Sequence, residues 1–204
     1  MMGDSAARFR GHQRAIIEAI IRGEERVLAI MPTGGGKSLL FQLPAFCEEG
    51  GVTIVVVPLI ALKQDLHRRC RTMGMECQEW TRRAPPDGAR IVLVTPESAR
   101  SDDFVRFMNR LRGQERLTRI VMDECHVVLN DQRKFRPRLR ELGELNRAGV
   151  PMVMLTATLP VADETRFMER MWMQKDEVRV FRYRTSRRNI RYTTYTIKET
   201  TSKK

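Results

Sequence analysis

A glycine-rich loop that directly follows a short apolar run constrains the fold of this chain more than any other feature. The apolar run covers residues 27–30, and the loop over residues 31–38 has the sequence Met-Pro-Thr-Gly-Gly-Gly-Lys-Ser. Glycines let the backbone turn its N–H groups inward around an anion, and a helix N-terminus adds partial positive charge. The pattern therefore predicts a strand, an anion-binding loop and a helix that begins near Lys37.

The side chains of this loop are those that a nucleotide phosphate requires. Lys37 can reach the β- and γ-phosphates, and the hydroxyl of Ser38 can bind the Mg²⁺ that bridges them. Met31 stands where the general pattern G-x-x-x-x-G-K-[ST] has glycine. An ordinary turn does not need Lys-Ser at this offset, so we interpret the loop as a phosphate cradle. The predicted phosphate-binding residues are Thr33, Gly34, Gly35, Gly36, Lys37 and Ser38.

Two adjacent carboxylates, Asp123 and Glu124, follow a second apolar stretch at residues 119–122. This stretch is typical of a short buried strand, which would place both carboxylates at the carboxyl edge of a sheet. In phosphate-loop folds the nucleotide lies at that edge. We predict that Asp123 holds Mg²⁺ and that Glu124 polarises the water that attacks the γ-phosphate.

Strand-like stretches alternate with helical patterns along most of the chain. The predicted strands cover residues 26–31, 53–57, 90–94, 119–122 and 150–155, and a first helix carries apolar side chains over residues 15–20. This alternation predicts an α/β fold with a parallel sheet and helices on both faces.

A further helix is expected after Pro160, because Asp163 and Glu164 favour a helix N-terminus. Residues 178–181 are typical of one more strand. The apolar side chains of the helix, which we expect to pack in the core, are Phe167, Met168, Met171 and Trp172.

Several motifs resemble those of the RecQ branch of the superfamily 2 DNA helicases. They are Asp-Glu-Cys-His at residues 123–126 and six further segments that occur in the order found in that family. The segments are residues 9–13 (Phe-Arg-Gly-His-Gln), 31–38, 57–65 (Val-Pro-Leu-Ile-Ala-Leu-Lys-Gln-Asp), 94–98 (Val-Thr-Pro-Glu-Ser), 135–137 (Phe-Arg-Pro) and 155–160 (Leu-Thr-Ala-Thr-Leu-Pro). In this family the position of Met31 is commonly not glycine. The resemblance implies a RecA-like phosphate-loop NTPase fold that binds ATP and Mg²⁺.

The same resemblance implies roles for residues around the nucleotide. The amide of Gln13 has the donor and the acceptor needed to contact adenine, and Phe9 or Arg10 would flank the base. His126 resembles the residue that connects the hydrolysis site to a coupling segment at residues 156–158. The implied catalytic residues are Lys37, Asp123, Glu124 and His126, and the implied coupling residues are Thr156 and Thr158.

DNA, single-stranded or at a duplex junction, is the partner that the resemblance implies. The 37 basic and 25 acidic residues give a net charge of +12, and from Arg166 onward there are 12 basic and 4 acidic residues. This excess suits a polyanionic partner, although charge alone is equally compatible with a basic protein that binds no nucleic acid. The residues implied to contact the DNA backbone are Pro58, Lys63, Thr95, Pro96 and Arg136.

We expect a first RecA-like domain over residues 1–175, then over residues 176–204 a basic linker and the first strand of a second RecA-like domain. In the family, ATP lies between two such domains, and the second supplies an arginine worth about 10³–10⁵ in rate. The chain is therefore expected to be a piece of a helicase that has little activity alone.

One loop departs from the RecQ pattern. Residues 127–134 have the sequence Val-Val-Leu-Asn-Asp-Gln-Arg-Lys, whereas this loop in the family is usually rich in aromatic and histidine residues that couple DNA binding to hydrolysis. Base stacking by the loop would be lost. Two alternatives stay open: a non-catalytic module that binds nucleotide or nucleic acid, and a phosphate-loop ATPase or RNA helicase of another branch. Gln13 and residues 135–137 disfavour the second alternative.

The cysteines and the apolar runs indicate where in the cell the protein is expected. The four cysteines have neither metal-ligand nor disulfide spacing, and no run approaches the ~18 consecutive apolar residues of a membrane span. The N-terminal residues have no apolar segment of the kind found in signal peptides. We expect a soluble, intracellular protein, nuclear if its source is eukaryotic.

Overall fold

One sheet of seven strands forms the centre of the computed structural model, which describes residues 6–58, 60–129, 137–184, 191 and 193–194. Its order is β3-β4-β2-β5-β6-β1-β7, and all neighbouring strands are parallel. The predicted α/β fold with a parallel sheet is confirmed. The strands are β1 (Arg26–Ile30), β2 (Val52–Val56), β3 (Cys77–Glu79), β4 (Ile91–Val94), β5 (Leu117–Met122), β6 (Met152–Thr156) and β7 (Arg179–Arg182).

Helices cover both faces of the sheet. One face carries α1 (Gln13–Ile21), α2 (Leu39–Cys47) and α3 (Ile60–Thr72). The other carries α4 (Pro96–Ala99), α5 (Asp102–Gly113), α6 (Glu164–Arg170) and the 3₁₀ helices Cys125–Leu129 and Pro137–Ala148. Two shorter 3₁₀ helices, Val161–Asp163 and Lys175–Glu177, flank α6. No helix within these described ranges is long and apolar enough to cross a membrane.

Two apolar cores lie on opposite faces of the sheet because successive strand residues point to opposite sides. In β1, Leu28 packs in the core under α5, whereas Val27 and Ala29 pack in the core under α1 and α2. A strand that is buried on both faces needs a continuous apolar sequence, which explains why the central strands could be predicted. The edge strand β3, with the sequence Cys-Gln-Glu, has no such run and was not predicted.

The helix predicted after Pro160 is α6, which has Asp163 as its N-cap residue. Phe167, Met168 and Met171 are buried as expected, but Trp172 is 48% exposed, so the prediction that it packs in the core is wrong. The helix ends at Arg170, and Trp172 takes a left-handed backbone conformation that turns it away from the apolar face. Its ring lies 4.7 Å from the guanidinium of Arg147.

Strand β7 belongs to the same sheet, although it follows residue 175, where we expect the first domain to end. It pairs in parallel with β1, and the N–H of Tyr183 donates to the carbonyl of Ile30 at 2.8 Å. The ring of Tyr183 also packs on Gly11, where an added Cβ would lie 2.9 Å from it. The sheet therefore includes residues up to Arg182, and the domain boundary stays a prediction. The expected strand of a second domain, near residues 188–192, falls mostly outside the described residues and stays a prediction.

Candidate functional site

The carboxyl ends of three adjacent strands, β1, β6 and β5, hold the predicted nucleotide-binding groups. The glycine-rich loop follows β1, the 156–158 segment begins at the end of β6, and Asp123 and Glu124 follow β5. Because neighbouring strands lie about 4.8 Å apart, the loops after β1 and β5 are separated by about 10 Å, with the end of β6 between them. Side chains from the two outer loops must therefore meet over the end of β6.

The glycine-rich loop has the backbone that its sequence predicts. Gly34 and Gly36 have φ values of 79° and 77°, which glycine adopts without strain. A Cβ at Gly36 would lie 2.4 Å from Nε2 of Gln13, so this position also needs glycine for space. Helix α2 begins at Leu39, and the side chain of the N-cap residue Ser38 makes no capping hydrogen bond. Its hydroxyl can therefore serve another ligand.

Gln13 attaches the N-terminal segment to the phosphate loop. Its side-chain amide donates from Nε2 to the carbonyl of Gly35 at 2.9 Å, and its Oε1 accepts from the N–H of Arg10 at 2.8 Å. The residue is buried. An amide has two donor hydrogens and two acceptor lone pairs, so each end keeps capacity for one further hydrogen bond. The predicted contact with adenine remains possible in this arrangement.

Lys37 and Glu124 meet across the site. Nζ of Lys37 lies 3.5 Å from Oε1 of Glu124, and both side chains are largely buried. Glu124 has a φ of 49°, a left-handed conformation that is uncommon for a residue with a side chain. The chain thus turns sharply after Asp123 instead of continuing as the extended strand end that we expected. Such strain is often found at functional sites.

The pKa values of the two neighbouring carboxyl groups are shifted in opposite directions. Burial, followed by the charge of Glu124, raises the pKa of Asp123 to about 6. A hydrogen bond with His126 and the charge of Lys37 hold the pKa of Glu124 below its ordinary value, against the effect of burial. Glu124 is therefore ionised at neutral pH, whereas Asp123 is a half-buried carboxyl whose ionised form a cation would stabilise.

His126 connects Glu124 to the end of β6. Its Nδ1 lies 2.9 Å from Oγ1 of Thr156 and 3.4 Å from Oε2 of Glu124. The hydroxyl of Thr156 donates to the carbonyl of Thr158 at 3.0 Å and accepts from its N–H at 3.1 Å. Because this hydroxyl has one hydrogen, Nδ1 of His126 must be the donor in their contact. The residues expected to link hydrolysis to coupling are therefore in contact.

Removal of the Thr156 hydroxyl is expected to destabilise this network. Thr156→Val keeps the shape of a fully buried side chain but leaves the N–H of Thr158 without this acceptor, which costs about 1–3 kcal/mol in the free energy of unfolding. Denaturant unfolding would measure the change. The control is Thr118→Val, which removes a single half-buried hydrogen bond to the carbonyl of Val52 and should cost less. Equal losses would contradict the network.

A cavity of about 660 Å³ extends from the phosphate loop to α3. Its lining includes predicted residues, among them Arg10, Gln13 and Ser38, and also residues that we did not predict. Among the latter are Gln42, Arg68, Arg69, Thr72 and Met73. These residues lie in ordinary helical sequence patterns, which gave no indication that they line a binding cavity. Phe9, which is 46% exposed, lines a smaller neighbouring cavity with Leu39 and Leu43.

The residues implied to contact DNA lie after β2 and β4, outside this cluster. Pro58 and Pro96 are buried, and Oγ1 of Thr95 accepts from the N–H of Ser98 at the start of α4. Lys63 forms an ion pair with Glu79 at 2.7 Å, so its charge is already partly balanced. Arg136, like Phe135, lies outside the described residues.

The sheet order and the glycine-rich loop define a phosphate-loop nucleotide-binding domain with a RecA-like fold. Residues 10–167 match the model of the DEAD/DEAH box helicase family, and the chain belongs to this family. It resembles the DUF1998 helicase MrfA, solved bound to DNA, with a TM-score of 0.63 and 19% identity over 88% of this chain and 26% of that one. This likeness concerns the fold.

The curated relatives are RecQ helicases, as the sequence motifs predicted. The chain is 36% identical to the ATP-dependent helicase SGS1 of Saccharomyces cerevisiae, over 74% of this chain and 12% of that protein. It is 36% identical to the ATP-dependent DNA helicase Q5 of Rattus norvegicus, over 72% of this chain and 16% of that protein. It is 29% identical to the ATP-dependent DNA helicase RecQ of Pasteurella multocida, over 91% of this chain and 30% of that protein. The chain thus spans less than a third of the length of each.

Proposed function

We propose that this chain is the ATP-binding motor domain of a RecQ-like DNA helicase, and that the whole protein couples ATP hydrolysis to 3′–5′ unwinding of DNA. The observation that carries the proposal is the 3.5 Å ion pair between Lys37 and Glu124. It joins a phosphate-binding lysine and a carboxylate able to polarise water, from two loops that are far apart in sequence. The turnover measurement in the Discussion tests it.

The residues of the site fit a bound Mg²⁺. Asp123 is half-buried and its pKa is raised, so a cation would stabilise its ionised form, and the hydroxyl of Ser38 makes no capping hydrogen bond. Ser38 and Asp123 would hold the ion, which supplies charge neutralisation on the β- and γ-phosphates when bound. Oxygen ligands of this kind are those that Mg²⁺ prefers.

Glu124 would act on the attacking water. Its carboxylate contacts both Lys37 and His126. A γ-phosphate would compete for Lys37, which would leave Glu124 held by His126 and the backbone of Ala157 and able to accept a hydrogen bond from water. Through Thr156, the same histidine would transmit this change to the 156–158 segment.

Binding of Mg-nucleotide is expected to weaken as the pH falls through about 6. The pKa of Asp123 is raised to about 6, so below that pH the carboxyl is largely protonated and cannot hold the cation. Calorimetric titrations of Mg-ADP between pH 5 and pH 8 would measure the affinity. ADP itself gains a proton in the same range, so the matched comparison is Asp123→Asn, whose weaker binding should vary less with pH. A parallel pH profile in the variant would contradict the assignment.

Single-stranded DNA is expected to bind without sequence preference and with an affinity that falls as salt rises. The residues implied to contact it suit backbone contacts, and the net charge of +12 favours a polyanion. Fluorescence anisotropy with oligonucleotides of unrelated sequence, at two or more salt concentrations, would measure this. Binding that does not change with salt, or its absence at low salt, would contradict a role for this domain in DNA binding.

A second candidate is a module that binds nucleotide or DNA without turnover. The observation that favours it is the sequence of residues 127–134, which lacks the aromatic residues that couple DNA binding to hydrolysis in RecQ helicases. Without base stacking here, contacts would rest on Arg133 and Lys134 and be more sensitive to salt. Turnover in the presence of a second RecA-like domain separates the two candidates.

A further inference from the structure

The last turn of α3 forms one wall of the cavity that begins at the phosphate loop. The cavity runs from Gly36 and Ser38 past Leu39 to Arg69 and Met73. Its volume of about 660 Å³ is in the range of nucleotide-sized sites. A ligand whose phosphates lie against Ser38 therefore has room to place its base between the N-terminal segment and α3.

This wall is held in a fixed position relative to the phosphate loop. Nε2 of Gln42 in α2 contacts Sγ of Cys70 in α3 at 3.3 Å, and Cys70 is fully buried. Asp65 forms ion pairs of 2.6 Å with both Arg68 and Arg69. Helix α2 begins directly after the phosphate loop, so the contact between Gln42 and Cys70 sets the distance from the loop to the wall.

Arg69 in α3 and Met73, the residue directly after the end of α3, both line the cavity. They are four residues apart, and the N–H of Met73 contacts the carbonyl of Arg69 at 3.2 Å, which continues the helical turn. A guanidinium is attracted to the face of an aromatic ring, and a thioether packs favourably against one. The two side chains are therefore suited to a planar base. The lining of the same cavity also includes Arg10 and Gln13, near the N-terminus of the chain.

We propose that Arg69 and Met73 contact the base of the bound nucleotide in the cavity that they share with Arg10, and that α3 thereby takes part in nucleotide binding. This inference rests on the proposed function, because it requires a nucleotide whose phosphates lie in the glycine-rich loop. The ligand class is a nucleoside di- or triphosphate. Inorganic polyphosphate lacks the base and would not use this wall.

Calorimetry of Arg69→Ala with Mg-ADP, Mg-ATP and Mg-tripolyphosphate tests the proposal. We expect both nucleotides to bind about three- to tenfold more weakly, the range of a single cation–π contact, with no change for tripolyphosphate. Arg71→Ala is the matched control, because Arg71 is exposed on the same helix and lines a different cavity. It should change none of the three affinities. Thermal unfolding of each variant would show that it is folded.

Two further variants make the result specific. Arg69→Lys keeps the charge but loses the planar group, so it should recover only part of the nucleotide affinity. Met73→Leu keeps an apolar side chain of similar size but loses the sulfur, and a small loss confined to nucleotides is expected. An equal loss for tripolyphosphate, full recovery in Arg69→Lys, or unchanged nucleotide affinity in Arg69→Ala would overturn the proposal.

Failure of this proposal and failure of the proposed function give different results. If the unaltered chain binds nucleotide and Lys37→Ala removes the binding, the phosphate loop is correct, and a neutral Arg69→Ala refutes only the contact with α3. If the unaltered chain binds neither nucleotide nor tripolyphosphate, both proposals fail together.

Discussion

Lys37→Ala is expected to reduce the affinity for Mg-nucleotide by about 100-fold or more, which would abolish measurable binding if the unaltered site binds weakly. Nζ of Lys37 is the positive group beside Glu124, and its side chain is 11% exposed. A charged hydrogen bond in such a site contributes about 3 kcal/mol, or roughly 100-fold in affinity. Isothermal titration calorimetry with Mg-ADP would measure the change.

The matched control for this prediction is Lys175→Ala. Lys175 is exposed in the 3₁₀ helix Lys175–Glu177, which precedes β7 and so lies at the opposite edge of the sheet from the phosphate loop. The Lys175→Ala substitution removes the same charge from the chain as Lys37→Ala, so a general electrostatic effect on affinity would appear in both variants. Unchanged affinity in Lys37→Ala would remove the phosphate-loop assignment.

The 204-residue chain by itself is expected to hydrolyse ATP very slowly and not to unwind DNA. The Glu124 carboxylate has Lys37 and His126 beside it, and neither of these is an arginine. An arginine from a second domain is worth about 10³–10⁵ in rate, or roughly 4–7 kcal/mol. Unwinding also requires two domains that move relative to each other with nucleotide state.

Phosphate release measured with the chain alone, and again with a separate second RecA-like domain, would test this expectation. We expect turnover to rise when that domain is added, and Glu124→Gln to remove the increase. Glu169→Gln is the control, since Glu169 is exposed on α6, on the other face of the sheet from α1–α3. Binding without turnover in either case would favour the non-catalytic module.

Turnover near ~1 s⁻¹ by the chain alone, removed by Glu124→Gln, would contradict the expectation. The arginine that stabilises the γ-phosphate would then have to come from the basic segment over residues 179–191 or from a second copy of the chain. Gel filtration and the dependence of the rate on protein concentration would distinguish these sources.

The sequence by itself determined the local parts of the protein. Gly34 and Gly36 have the positive φ values that their residue type allows, and Ser38 stands directly before a helix. The central strands were predictable because burial on both faces demands a continuous apolar run. The RecQ motifs were recognisable because each is a short contiguous pattern. These features depend on a few neighbouring residues, so a linear pattern is sufficient to predict them.

Local patterns did not predict the elements whose neighbours are set by the fold. Strand β3 is short and lies at an edge, and β7 joins the sheet of the first domain beside β1 although it follows residue 175. Trp172 has an apolar side chain but lies past the end of α6, where it is exposed. Periodicity gives the face of a helix only as far as the helix continues.

Only the tertiary structure decided which distant groups meet. Roles for Lys37, Glu124 and His126 could be assigned from motifs, but their contacts, and the contact of His126 with Thr156, exist because β6 lies between β1 and β5. The position of α3 along the cavity is likewise decided by the tertiary structure. Strand order and helix packing arise from burial of apolar surface over the whole chain, and no single segment of the sequence contains that information.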